Sequence, residues 1–185
     1  MLEAKIPGWY VLIEGFLDIE IENIETFLDQ VRSQTQGCHV QFFDAKLIAG
    51  FDHLYFAILN AARAFETGRN ISKNLAVEML LYASGQHQIS KAIELLGMKP
   101  SSTQIAVLVA ADTRQKALEV LNRVSCLLKG ERDGKAIELT DEKIPTIKAA
   151  FNITDLEIEA TLRKSKKEAL ISLLIERAAL LATQT

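Results

Sequence analysis

Histidine and cysteine are the side chains most often used as metal ligands, general bases and nucleophiles, and this chain has only three histidines and two cysteines. His39, His53 and His87 are never three or four residues apart, the spacing that would place two imidazoles on one face of a helix. Cys38 is adjacent to His39, but neighbours on a strand point to opposite faces. Cys126 lies far from both along the chain. We therefore expect no metal site and no cysteine nucleophile.

Carboxylates are plentiful, but their positions favour a structural role. Glu20, Glu22 and Glu25 surround one predicted helix start, and Asp141 with Glu142 precedes another. Negative charge at a helix start stabilises the helix dipole. The nine glycines stand singly and form no phosphate-binding loop. We expect no catalytic residue and no cofactor, although the sequence leaves open a pair of carboxylates that converge in a cleft.

The segment from Arg63 to Lys99 contains more Lys and Arg than Glu, within a chain whose net charge is −3. Its basic and amide groups collect at predicted turns and helix starts, where free N–H groups beside a cation can bind phosphate oxygens. The overall acidity excludes a strongly basic nucleic-acid coat, so any RNA contact must come from this local patch. The alternative is an ordinary solvated polar face, which composition alone favours.

The predicted C-terminal helix, Lys166 to Thr183, has more apolar surface than one buried stripe requires. A first stripe consists of Leu170, Leu173, Leu174, Ala178 and Leu181, and further apolar residues are Ile171, Ile175, Ala179 and Leu180. Such a helix must be covered on two sides. Burial in the core of the chain and docking against a partner protein explain this pattern equally well.

Several secondary-structure elements must position these groups. We predict strands at Trp9 to Ile21, at Cys38 to Phe43 with a continuation over Lys46 to Ile48, at Gln104 to Ala111 and at Ala136 to Leu139. Helices are predicted after the N-cap residues Asn23 and Asp112, from Phe51 to Gly68, from about Asn74 to a break at Ser84-Gly85, and from Ile89 to Gly97. Capping boxes at Thr154/Glu157 and Ser165/Glu168 start two more. The predicted fold is α+β, a small mixed sheet of three to five strands packed with about seven helices.

Length and composition point to one folded unit. The chain has 185 residues, 49% of them hydrophobic and 24% charged, which is the balance of a globular protein. No linker rich in Pro, Gly or Ser divides it, so we expect a single domain over residues 1–185. The start lacks the pattern of a signal peptide, and the most apolar window is too short for a bilayer span. We expect a cytoplasmic protein with no membrane contact.

The stretch from Asn70 to Gly97, NISKNLAVEMLLYASGQHQISKAIELLG, resembles the small kinase-binding subunit of the KEOPS complex, in its archaeal type, a family that includes the human PRPK-binding protein. The resemblance lies in an ordered combination: Asn70 before a Ser/Lys helix start, Glu78 in an apolar run, a small-residue break, and Gln88-Ile89 before Gly97. Elements before and after this stretch also match in order, so the resemblance covers most of the chain.

The resemblance implies a non-enzymatic accessory subunit. KEOPS transfers a threonylcarbamoyl group to the adenosine beside the anticodon of certain tRNAs, and the chemistry belongs to another subunit. Members of this family bind and stimulate a small atypical kinase of the complex, and in archaea they recruit tRNA through its single-stranded 3′ CCA end. The partners expected here are therefore that kinase and the tRNA 3′ CCA end, and no DNA. A stand-alone enzyme and a small-molecule-binding domain are the alternative functions.

Candidate site residues can be assigned for both expected partners, the tRNA and the kinase. The resemblance places CCA contacts at Asn70, Lys73, Gly85, Gln88 and Ile89, and local chemistry adds Arg69, His87 and Lys91 as candidate tRNA-binding residues. We interpret Glu78 as a structural residue that fixes a backbone turn, because it is acidic within an apolar run. For the kinase interface we choose residues of the C-terminal helix, Leu170, Ile171, Leu174, Ile175 and Ala178.

Overall fold

The computed structural model of the chain describes residues 1–183 and contains one five-stranded sheet. The strands are β1 (Leu2–Ile6), β2 (Trp9–Leu17), β3 (His39–Asp44), β4 (Ile105–Ala111) and β5 (Glu131–Arg132). Their order is β1-β2-β4-β3, with β5 paired to the end of β2. Every pairing among these strands is antiparallel, whereas the sequence led us to expect a mixed sheet.

Eight α-helices surround the sheet in the described residues. They are α1 (Ile24–Gln34), α2 (Phe51–Thr67), α3 (Leu75–Ser84), α4 (Ile89–Leu96), α5 (Arg114–Leu128), α6 (Lys143–Ala150), α7 (Asp155–Thr161) and α8 (Lys166–Leu181). The α+β fold class is therefore confirmed. Among residues 1–183, no helix combines the length and apolarity that a membrane span requires.

The sheet separates two layers of the core because side chains alternate along its strands. On β4, Ile105, Val107 and Val109 face the layer that contains α1 and α5, whereas Ala106 and Leu108 face the layer of α2, α3, α4 and α8. All seven residues of β4 are fully buried, as expected of a central strand covered on both faces.

Helix ends mostly follow the side-chain capping that the sequence indicated. Asn23 accepts a hydrogen bond from the Thr26 N–H, and Thr154 and Glu157 form both halves of a capping box. At α8 the Ser165 side chain accepts the Glu168 N–H. These caps fix the directions in which the chain enters the helices.

Several predicted elements are corrected. The predicted strand Trp9 to Ile21 is shorter in the structure, where β2 ends at Leu17. The chain before it forms β1, which pairs with β2 through a turn in which Gly8 has φ +79°. The predicted strands at 46–48 and 136–139 are replaced by short 3-10 helices, Ala45–Leu47 and Gly134–Ile137. The residue that caps α5 is Thr113 rather than Asp112, since the Thr113 side chain accepts the Lys116 N–H.

Candidate functional site

Helix α3 is the element around which the predicted RNA-binding residues are arranged. Nine of its ten residues are buried and Val77 is half-buried, so the candidate residues lie in the segments just before and just after the helix. Asn74 caps the first end by accepting the Ala76 N–H at 2.9 Å through its side chain. Gly85, with φ +62°, closes the other end in the left-handed conformation that suits glycine.

Residues 69–74 form the loop that leads into α3, here called the 69–74 loop, and it carries the first group of candidates. Arg69 and Lys73 are exposed, and Asn70 is half-buried. The side-chain amide of Asn70 donates to the Ser72 carbonyl at 3.0 Å, and the Ser72 hydroxyl accepts the Asn74 N–H at 3.1 Å. The two cations are therefore presented to solvent from a backbone that its own side chains hold in place.

Glu78 lies beneath the 69–74 loop and is fully buried. Its two carboxylate oxygens accept separate backbone hydrogen bonds, from the Ile71 N–H at 3.0 Å and from the Ser72 N–H at 2.7 Å. Burial, together with the charge of Glu78, raises the pKa of the Tyr82 hydroxyl one turn further along the helix. These contacts agree with the structural role that the sequence suggested for Glu78.

The second group of candidates lies at the corner between α3 and α4, residues 85–91, here called the 85–91 corner. Gly85 is half-buried, and the other four candidates of this group are exposed: His87, Gln88, Ile89 and Lys91. Gln88 occupies the N-cap position of α4 but makes no capping hydrogen bond with its side chain. The exposed fraction of Ile89 is 43%, which is high for so apolar a side chain.

The structure does not bring the two groups into one cluster. Helix α3 separates them, and its ten residues span about 15 Å at the usual rise per residue. All eight predicted residues nevertheless reach the surface, and each group combines a cation with amide groups. Contact with both groups would require an extended ligand.

A groove of about 330 Å³ runs along the outer edge of β3, between α1 on one side and α3 with α4 on the other. Its lining includes Asn74, Val77 and Ile93, and Ile93 is 50% exposed. The sequence did not predict this groove. The groove exists because β3 lies at the edge of the sheet, and the order of strands in a sheet depends on pairing between distant parts of the chain. Ile93 lies one turn after Ile89, and apolar residues at this spacing are typical of the buried face of a helix, so its type does not indicate that it is exposed.

The histidines and cysteines do not converge. His53 is buried in α2, and His39 packs edge-on against Trp9 at the rim of the sheet. Burial lowers the pKa of His39 and raises the pKa of the Cys38 thiol. Within residues 1–183, no group of three or more His, Cys, Asp or Glu side chains is placed to hold a metal ion.

Helix α8 divides into a buried face and a flank. Leu170, Leu174 and Ala178 are buried in the core, so in this conformation they stabilise the fold and do not reach a partner. Ile171 and Ile175 are half-buried, one turn apart on the same flank. Ile171 also lines a surface hollow of about 570 Å³ with Phe51 of α2. The predicted kinase-binding set is thus reduced to these two isoleucines at the surface.

The described residues define an α+β protein with polar and apolar surface patches on a well-packed core. Comparison with known proteins identifies the family: the family model described as "Kinase binding protein CGI-121" matches residues 18–182. A regulatory protein, Cgi121 of Methanocaldococcus jannaschii, is 30% identical over 117 residues, which are 63% of this chain and 72% of that protein. The chain belongs to the CGI-121 kinase-binding protein family, and the resemblance seen in the sequence is confirmed.

Proposed function

We propose that this chain is a non-catalytic accessory subunit of a KEOPS-type complex. It binds and stimulates the small atypical kinase of that complex, and it recruits tRNA through the 3′ CCA end for threonylcarbamoylation of the adenosine beside the anticodon. The observation that carries the proposal is the family match over residues 18–182, under a description that names kinase binding. The exposed candidates at the two ends of α3 support the tRNA role.

The kinase surface is proposed on the flank of α8. Ile171 and Ile175 are one turn apart and accessible to a partner, and the hollow beside Ile171 offers space for an apolar side chain. Ile171 also packs against the core, whereas Ile175 does not belong to either core cluster. A charge at position 175 therefore tests the interface with the least effect on folding.

The experiment measures affinity for the purified kinase by calorimetry. Ile175→Glu should weaken binding at least tenfold, because a buried carboxylate without a partner is costly at an interface. Leu156→Glu is the matched control, since Leu156 is 77% exposed on α7 and lies outside the proposed surface. Unchanged affinity in a folded Ile175→Glu variant would refute the assignment to α8.

The tRNA role is tested by binding to labelled tRNA, with and without the terminal CCA, at two salt concentrations. We expect tight binding only with the CCA end, and an affinity that falls as salt rises, because phosphate contacts release counterions. Lys73→Ala should weaken binding and flatten the salt dependence, whereas Lys129→Gln, at the end of α5 behind the sheet, should not. Equal and weak binding to both RNAs would leave only the kinase-binding role.

A further inference from the structure

Glu78 is a buried carboxylate whose two side-chain hydrogen bonds both go to the loop that carries proposed RNA-binding residues. It is 0% exposed, and its two oxygens bind the N–H groups of two consecutive residues, Ile71 and Ser72. Burying a carboxylate is costly unless hydrogen bonds compensate it. Hydrogen bonds to a charged acceptor are stronger than neutral ones, and a position in the first turn of α3 adds a favourable dipole.

These two hydrogen bonds act on the part of the loop that matters for binding. Ile71 and Ser72 stand between Asn70 and Lys73, and the Ser72 carbonyl accepts the Asn70 side-chain amide at 3.0 Å. Ser72 in turn accepts the Asn74 N–H, so the loop is connected to the cap of α3. A short loop that is not held in this way would sample many conformations, and binding would then carry the entropic cost of ordering it.

We propose that Glu78 is a positioning residue for RNA binding: it fixes the backbone of the 69–74 loop so that Asn70 and Lys73 are presented together before the ligand arrives. Glu78 itself is buried and does not touch the RNA. The inference rests on the proposed tRNA function. It also explains why a carboxylate, rather than an apolar residue, occupies a buried position of α3.

The test compares wild type with Glu78→Gln. Glutamine has nearly the same shape but offers one acceptor oxygen and one N–H₂ group, so one of the two backbone N–H groups faces a donor and loses its partner. We expect tRNA affinity to fall about tenfold and kinase affinity to remain within about twofold. Amide hydrogen exchange provides a local readout: the Ile71 and Ser72 N–H groups should be protected in wild type and exchange faster in Glu78→Gln.

Val120→Ala is the control for general destabilisation. Val120 is buried on α5, in the core layer on the opposite face of the sheet, so its truncation should lower the melting temperature without changing tRNA affinity. If Glu78→Gln does not fold, the same comparison is made with Ile71→Pro, which removes one of the two donors and keeps the carboxylate bonded to Ser72.

The outcomes separate the two proposals. A wild-type chain that shows no CCA-dependent binding refutes the tRNA function and the positioning role with it. If wild type binds and Lys73→Ala weakens binding, but Glu78→Gln binds as wild type, only the positioning role of Glu78 is refuted. Parallel losses of tRNA and kinase affinity in Glu78→Gln would also refute it, because that result describes a general loss of structure.

Discussion

His53 should make the fold sensitive to mild acid, and the structure gives both the sign and the size of the effect. The ring is 1% exposed in α2. Its Nδ1 atom accepts the Ala49 N–H at 3.2 Å, and its Nε2 atom lies 2.8 Å from the Ala83 carbonyl oxygen. Because Nδ1 is an acceptor, the proton of the neutral ring sits on Nε2 and is donated to Ala83. A second proton, on Nδ1, would face the Ala49 N–H and break that hydrogen bond.

Burial lowers the pKa of His53 from 6.5 to about 4, and the hydrogen bond to Ala83 opposes this shift only in part. The unfolded chain therefore binds more protons than the folded chain between these two values. Stability contributed by the neutral ring is complete above about pH 6.5 and is lost as the pH falls toward 4. With these pKa values, lowering the pH from neutral to about 5 costs about 2 kcal/mol, and full protonation costs about 3 kcal/mol.

The assay is urea unfolding of wild type and His53→Gln at several pH values between about 5 and 7.5. Glutamine can accept the Ala49 N–H and donate to Ala83 without titrating, so its free energy of unfolding should vary less with pH. His39 contributes in the same direction, but it is present in both proteins and cancels. The lowered pKa values of Asp155 and Glu157 affect stability only in more acidic solution. Equal pH dependence in the two proteins would refute the reasoning.

Three further predictions concern other parts of the fold. Gly15→Ala should lower the melting temperature strongly, because the added Cβ would lie 2.4 Å from the Asp133 carbonyl oxygen. An unchanged melting temperature would show that the backbone at Asp133 can move to make room for the methyl group. Lys143 should titrate near pH 8 by side-chain NMR, because burial lowers its pKa from 10.5 and outweighs its attraction to acidic neighbours; stability should then rise between about pH 8 and 10. Thr154→Ala should cost about 1 kcal/mol in urea unfolding, whereas Thr183→Ala loses only an exposed hydrogen bond to the Leu180 carbonyl and should cost little.

The helices were predictable because their signals are local. Asn23 and Thr154 cap the helices that they were expected to cap, and the helix predicted from Phe51 ends at Gly68. Strand β1 was missed although it carries a local signal of its own: Leu2, Ala4 and Ile6 are half-buried or buried and alternate with exposed Glu3 and Lys5. The segment is only five residues long and is held in place by pairing with β2. Strand β5 has two exposed residues and carries no periodic signal at all.

The sequence predicted which segments of the candidate site reach the surface, but it did not predict what each side chain does there. All residues chosen at the ends of α3 reach the surface, yet the sequence could not reveal that the Asn70 amide is used within its own loop. Helix α8 shows the same limit. Its apolar circumference fitted both a core helix and an interface helix, and the fold uses it as a core helix against α2, α3, α6 and α7. Of the five residues predicted for the kinase interface, only Ile171 and Ile175 reach the surface, so a kinase that binds through them must contact that flank and the adjoining hollow.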